Sequence, residues 1–217
     1  MTETAQSVIA FWVDEVGPKG WYKSSARLDD AIRGRFLPCW ESARDTGAAP
    51  WDGSAQAALG SVILLDQFPR NMHRDMATAF ATDELARSVA DRAIAAGWDL
   101  ETPTPERQFF YMPFQHSENL ADQDRGVHLC QERLSGDTDL HARAHRACIA
   151  RFGRFPFRNA ALGRDTTPDE ARFLAAGGYG AITAAMRAAQ PRPDADAGGT
   201  VPWDQILRGD YRPGGQT

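Results

Sequence analysis

Apolar residues recur along this chain at helical spacing, and proline or glycine stops almost every run. Val8, Phe11, Trp12 and Val16 line one side of a first helix, which Gly17-Pro18-Lys19-Gly20 ends. A second helix starts at Ser25 and carries Leu28, Ile32, Phe36 and Leu37 on one side, with Pro38 kinking or ending it. A third runs from a Ser54 cap to Pro69, whose ring and missing N–H are expected to close it. Thr82 or Asp83 caps the next, and Gly97 stops it. Thr104 and Pro105 open a short helix, Ser117 opens one reaching Leu134, and another runs from about Thr138 to Phe152 before Gly153. Thr167 and Glu170 form a full capping box for the helix after them. No segment alternates apolar and polar residues over a strand's length, and no Asn-Gly or Asp-Gly turn joins two β-branched runs. The expected fold is all-α: about eight to nine helices in antiparallel hairpins, stacked or packed as an irregular bundle. Residues 1–176 read as the helical domain. After Ala176 the composition turns to Gly, Pro and Asp, so 177–217 read as a short helix plus a docked or partly disordered tail.

A chain of 217 residues that is 42% hydrophobic can bury a substantial core. Its net charge of −5 argues against a general nucleic-acid or anionic-membrane binder, which leaves small molecules or proteins as the expected partners. The N-terminal residues mix acids with a short apolar run and lack the pattern of a secretory signal, so a cytoplasmic location is expected. The longest apolar stretch, Val62–Leu65, is far too short to span a bilayer. Cys39, Cys130 and Cys148 are odd in number and widely spaced, as reduced core thiols would be.

Chemistry-bearing residues gather in three places. In the segment Leu64–Arg74, Asp66 sits in the last turn before Pro69, and Arg70 and Asn71 are expected to project from the corner beyond it. An acid at a helix C-terminus opposes the helix dipole, so a nearby cation is expected, either as a structural tie or as part of a ligand site. In the segment Tyr111–Asp124, His116 lies at a junction between helices and Glu118 in the first turn after it. They form a candidate acid/base or metal-ligand pair, or else a cap and a loop hydrogen bond. The segment Leu140–Arg164 holds Arg143, Arg146, Arg151, Arg154, Arg158 and Arg164 without one acid. Either acids from the preceding stretch neutralise it, or the guanidiniums hold a carboxylate or phosphate. His141 and His145 share a helical face, but spacing alone is a weak metal signal, and no metal or other cofactor is expected.

Three stretches, Leu64–Asp83, His116–Gln123 and His145–Leu174, together with Phe11–Tyr22, resemble the bacterial family catalogued as domain of unknown function 924 over roughly residues 8 to 175. The resemblance implies an all-α fold similar to tetratricopeptide-like superhelices, with no settled biochemical role. Relatives are expected to carry Glu, Asp and His where this chain has Gln115, Asn119 and Phe157, which weakens any carboxylate-and-His metal centre here. The expected function is therefore an enzyme or binding protein for a small anionic molecule. Arg70, Asn71, Arg151, Arg154, Arg158 and Asn159 would hold the ligand, and His116, Glu118, His145 and Asp66 would handle protons. The alternative is a peptide-binding helical scaffold, with Trp203, Ile206, Leu207 and Tyr211 of the tail docking onto the chain itself, a partner or a second copy.

Overall fold

The computed structural model describes residues 3–23, 25–134, 139–189 and 201–208. The expected start near Thr138, Tyr211 and the tail segments 190–200 and 209–217 lie outside the described residues. Within the described residues the fold is all-α, with no strand. The helices are α1 (Ala5–Ile9), α2 (Ala26–Thr46), α3 (Ala55–Val62), α4 (Phe68–Met72), α5 (Asp83–Ala95), α6 (Trp98–Glu101) and α7 (Met112–Gln115) in one compact unit, Met1–His116. A second unit, Ser117–Thr217, holds α8 (Leu120–Arg133), α9 (Asp139–Phe152), α10 (Pro168–Ala175), α11 (Tyr179–Ala189) and α12 (Trp203–Arg208). No helix among the described residues is long and apolar enough to cross a membrane.

In the first unit the predicted apolar faces meet as an aromatic core. Phe36 lies 4.7 Å from Phe68 between ring centroids, Phe11 lies 5.2 Å from Phe36, and Trp12 lies 5.5 Å from Phe68. Phe36, Phe68 and Trp12 are fully buried, each contributing roughly 1.5–3 kcal/mol of apolar burial. Helices α1 and α3 pack closely because position 60 is glycine: a Cβ there would come within 2.7 Å of Ala5. Gly17 ends the first helical run with φ +66°, a left-handed conformation that favours glycine.

Both internal prolines behave differently from expectation. Pro38 lies inside α2, which continues to Thr46; Pro38 and Gly34 are exposed, so water can take the carbonyl that proline's missing N–H leaves. Pro69 does not end its helix either. The chain switches to a π-helical stretch over Ile63–Gln67, in which Phe68 N–H donates to Ile63 O, and then continues as α4 through Pro69 to Met72. Leu65 O, the acceptor four residues before Pro69, is taken by the Thr82 hydroxyl at 2.6 Å, and that hydroxyl accepts Trp40 Nε1–H at 3.0 Å. A buried side chain thus replaces the hydrogen bond proline cannot make, and Thr82 makes no side-chain cap bond at the start of α5. Arg70 and Asn71 consequently sit within a helical turn and do not project from a corner.

In the second unit α8 and α9 form an antiparallel hairpin, with Asp124 paired to Arg146 and Gln131 to Asp139. The helix predicted from Ser117 begins three residues later. Asn119 is its N-cap, accepting Ala121 N–H at 2.8 Å, so Glu118 precedes the first turn instead of lying in it. Gly153 stops α9 with φ +68°, and Thr167 and Glu170 form the expected capping box on α10. Helix α12 packs on α10: Ile206 is fully buried in a cluster with Phe155, Phe173 and Ile182, and Trp203 sits edge-on to Phe152. Cys130 and Cys148 are buried and Cys39 half-buried, none of them in a disulfide; burial pushes the Cys148 thiol up to about 12.

Candidate functional site

The first and second motifs meet inside the first unit. His116, at the end of α7, directs Nδ1 at Asp66 on the π-helical stretch, 2.8 Å from one carboxylate oxygen and 3.0 Å from the other. Asp66 is fully buried, and Gln67 Nε2 also donates to it. Arg70, one helical turn on, pairs with Asp66 at 3.2 Å through Nη1 and with Asp83 at 3.0 Å through Nη2. Burial alone would push the Asp66 carboxyl up. The charges of Arg70 and His116, with hydrogen bonds from His116 and Gln67, hold it well below the usual carboxylate range. His116 moves the other way: burial lowers its pKa and the Arg70 charge lowers it further, against the opposing pull of Asp66. At neutral pH the stable arrangement is an ionised Asp66 that accepts Nδ1–H from a neutral imidazole, with Arg70 as the permanent counter-charge. That tautomer makes Nε2 the basic nitrogen.

His116 and Arg70 form part of the wall of a cavity of about 260 Å³. Trp21, Tyr22 and Met112 supply its apolar surface, Gln67 and Asn71 its neutral polar groups, and Lys23, Arg70 and Arg74 its cations. Trp21 is anchored by its Nε1–H to Trp12 O at 2.7 Å and by an edge contact with Phe109. Asn71 and Arg74 are both held from behind by Asp29: Asn71 Nδ2 donates at 2.8 Å, and Arg74 donates through Nε at 3.1 Å and Nη2 at 3.0 Å. Among the described residues no carboxylate lines the cavity; Asp66, Asp83 and Asp29 instead pair with the lining cations Arg70 and Arg74.

The third motif lies in the second unit, where carboxylates answer its arginines. Arg154 grips Glu170 in bidentate fashion, Nε at 2.6 Å and Nη2 at 2.9 Å, and also donates to Asp165 O. Arg164 does the same to Glu118, at 2.7 and 3.1 Å, while Glu118 also accepts Phe155 N–H at 2.8 Å. Arg151 pairs with Asp169 at 3.1 Å and Arg143 with Asp139 at 2.9 Å. Arg158 is buried over the Phe155 ring, 4.5 Å from its centroid, and Asn159 donates to Glu170 at 3.2 Å. The hydrogen bonds from Arg154 and from Thr167 bring the Glu170 carboxyl down to about 2. Glu118 is likewise lowered: burial alone would raise it, and the Arg164 and Phe155 bonds outweigh that. These groups form a structural lattice. In the first unit Asp66 is a carboxylate partner of the His116 imidazole, and in the second unit Arg164 is the cation on Glu118.

His145 stacks on Tyr179 with centroids 4.7 Å apart, and His141 meets the Tyr179 hydroxyl at 2.7 Å, so the two imidazoles share an aromatic neighbour. Among the described residues no three His, Cys, Asp or Glu side chains converge as a metal site. Gln115 is buried, Asn119 caps α8, and Phe157 stacks on Phe155 at 5.1 Å while remaining exposed. The sequence reading missed Trp21, Tyr22, Lys23, Arg74 and Met112 as lining residues, and Asp83 and Asp29 as the acids behind it. The one available signal was the Trp-Tyr-Lys run directly after a glycine-proline turn, where aromatic and cationic side chains leave a rigid bend.

The sequence model of a family described as "Bacterial protein of unknown function (DUF924)" matches residues 8–178. A solved structure of a protein of unknown function from Agrobacterium tumefaciens is similar, with 41% sequence identity and a TM-score of 0.74 over 78% of this chain and 96% of that one. No curated protein matches the chain.

Proposed function

The chain belongs to this bacterial family, DUF924, and we propose that it is an enzyme in which His116 acts as a general base on a small anionic molecule held in the cavity of the first unit. The observation that carries this reading is the Asp66–His116 pair in the wall of a cavity whose charged lining groups are cations. A buried carboxylate orients the imidazole, fixes the tautomer with Nε2 as acceptor, and stabilises the imidazolium that forms when Nε2 takes a proton. His116 acts on a bound water or on an acidic proton of the substrate. Arg70 keeps Asp66 ionised and so acts through the imidazole as a positioning residue.

The test is a comparison of wild-type protein with His116→Gln and with Lys19→Met, each incubated with a bacterial metabolite extract and followed by mass spectrometry. The expected result is one or more small anions consumed by wild type and Lys19→Met and left intact by His116→Gln. Equal profiles for all three proteins, or consumption that survives in His116→Gln, would remove His116 as the base.

A further inference from the structure

Among the described residues three cations line the cavity, and two of them are already committed. Arg70 has one guanidinium nitrogen on Asp66 and another on Asp83. Arg74 turns the side of its fork carrying Nε and Nη2 toward Asp29. Lys23 differs: its side chain is exposed, and among the described residues it has no ion pair and no side-chain hydrogen bond. It stands two residues after Trp21, which is buried and pinned to Trp12 O, so the turn that presents the ammonium is fixed from below.

We propose that Lys23, and not an arginine, is the anion-binding group of this cavity, and that its ligand is a small monocarboxylate with an apolar or aromatic body. The proposal rests on the reading of this cavity as a substrate site and adds the chemical class that enters it. Charge selects the class. Arg70 and Arg74 are paired with Asp66, Asp83 and Asp29, so among the described lining groups the one uncommitted charge is the Lys23 ammonium, which matches a monoanion and not a dianion. A phosphate dianion is best held by a free guanidinium fork or by several N–H donors, and both forks here already carry carboxylates. One ammonium is a point charge suited to one carboxylate. Shape selects the rest: Trp21 and Met112 offer apolar surface beside the cation. A volume of about 260 Å³ lies below the range of about 300–1,000 Å³ usual for drug-sized ligands, so the molecule is small. With its carboxylate on Lys23, the remainder of such a ligand lies between the apolar wall and His116.

The experiment titrates benzoate, acetate and inorganic phosphate into wild type, Lys23→Met and Lys19→Met, read by calorimetry and by tryptophan fluorescence. Lys19 and Lys23 are the chain's only lysines, so the same samples can be acetylated with an amine-selective reagent and each site quantified by mass spectrometry. The expected outcome is that benzoate binds wild type and Lys19→Met, more tightly than acetate or phosphate does. Lys23→Met weakens benzoate at least tenfold with an unchanged melting temperature, and benzoate slows acetylation of Lys23 but not of Lys19. Phosphate binding more tightly than benzoate, unchanged benzoate affinity in Lys23→Met, or no benzoate binding to wild type would each overturn the proposal. Failure here with His116-dependent turnover intact removes only the ligand class. Benzoate binding through Lys23 without His116-dependent turnover removes the catalytic reading and leaves a binding site.

Discussion

Asp66→Asn tests the centre of the first unit directly. The substitution keeps size and shape but removes a charge from a carboxylate with no exposed surface, which His116, Gln67 and Arg70 all address. Removing one partner of a buried ion pair typically costs about 3–5 kcal/mol, because the other charge is left uncompensated. Here Arg70 keeps Asp83 at 3.0 Å, so the expected loss is smaller, about 2–3 kcal/mol. For a chain of this length, each 1 kcal/mol lowers the melting temperature by about 2–4 °C, so thermal unfolding at pH 7 should show a drop of about 4–12 °C. The pH dependence gives an independent sign. Asp66's folded pKa lies below its unfolded value, so the unfolded state binds the extra proton. The stabilisation is complete above the unfolded value and is lost as pH falls through the folded one. The gap between wild type and Asp66→Asn should therefore narrow steadily below about pH 4. A variant that melts within about 1 °C of wild type at pH 7, or a gap that stays constant down to the acid limit of folding, would refute the claim that Asp66 is an ionised, stabilising centre.

Three further outcomes follow from the packing. Gly60→Ala should destabilise the first unit by about 1–3 kcal/mol in chemical denaturation, because its Cβ would overlap the backbone and side chain of Ala5 at 2.7 Å. Glu170→Gln should lower the melting temperature at neutral pH, and the difference should close as pH falls from the usual glutamate range toward about 2, where the wild-type carboxyl itself protonates. Ile206→Ala should cost about 2–4 kcal/mol if α12 packs as described, whereas an undocked segment would show no change in unfolding midpoint.

Helix identity was legible because each signal acts within a few residues. The Thr167–Glu170 box, the Gly153 stop and the Ser54 cap depend only on a local backbone turn, and each appears in the structure where the sequence places it. The need for a partner was legible where burial forces a choice. An acid in an apolar run, Asp66, needs a cation and hydrogen bonds, and it obtains both. Partner choice was not legible, because it depends on which elements the tertiary fold brings side by side. The acid-free run of arginines left neutralising acids and an anion pocket both open, since nothing local marks Glu170 or Glu118 as the carboxylates that pair with Arg154 and Arg164. Lys23 was missed for the opposite reason: one lysine in a turn reads as solvated surface until a cavity is found beside it.

The misread proline explains why the site lies where it does. An α-helical turn before Pro69 would leave Leu65 O, deep in the core, without a donor, a cost of about 1–3 kcal/mol. The π-helical stretch and the Thr82 hydroxyl resolve that deficit, but only because α2 supplies Trp40 to accompany Thr82 and because α4 continues beyond the proline. Arg33 of α2 completes the arrangement by donating to Met72 O at the end of α4, at 3.2 and 2.7 Å. Short π-helical segments persist where neighbouring structure over-determines them, and they occur often at functional sites. In this chain the segment ends on Asp66 and Gln67, the two residues that address the imidazole and the cavity. The same continuation through Pro69 sets Arg70 one turn after Asp66, within reach of it and of Asp83. Had the proline ended the helix, Arg70 would have left on a loop and the carboxylate would have lost the counter-charge that keeps it ionised. The backbone irregularity and the charged pair are thus parts of one arrangement, and a substitution that restores an α-helical turn, such as Pro69→Ala, should disturb His116 before it disturbs the core. An upfield or downfield shift of the His116 ring resonances, with the melting temperature held, is the observation that checks it; unchanged resonances would separate the proline from the site.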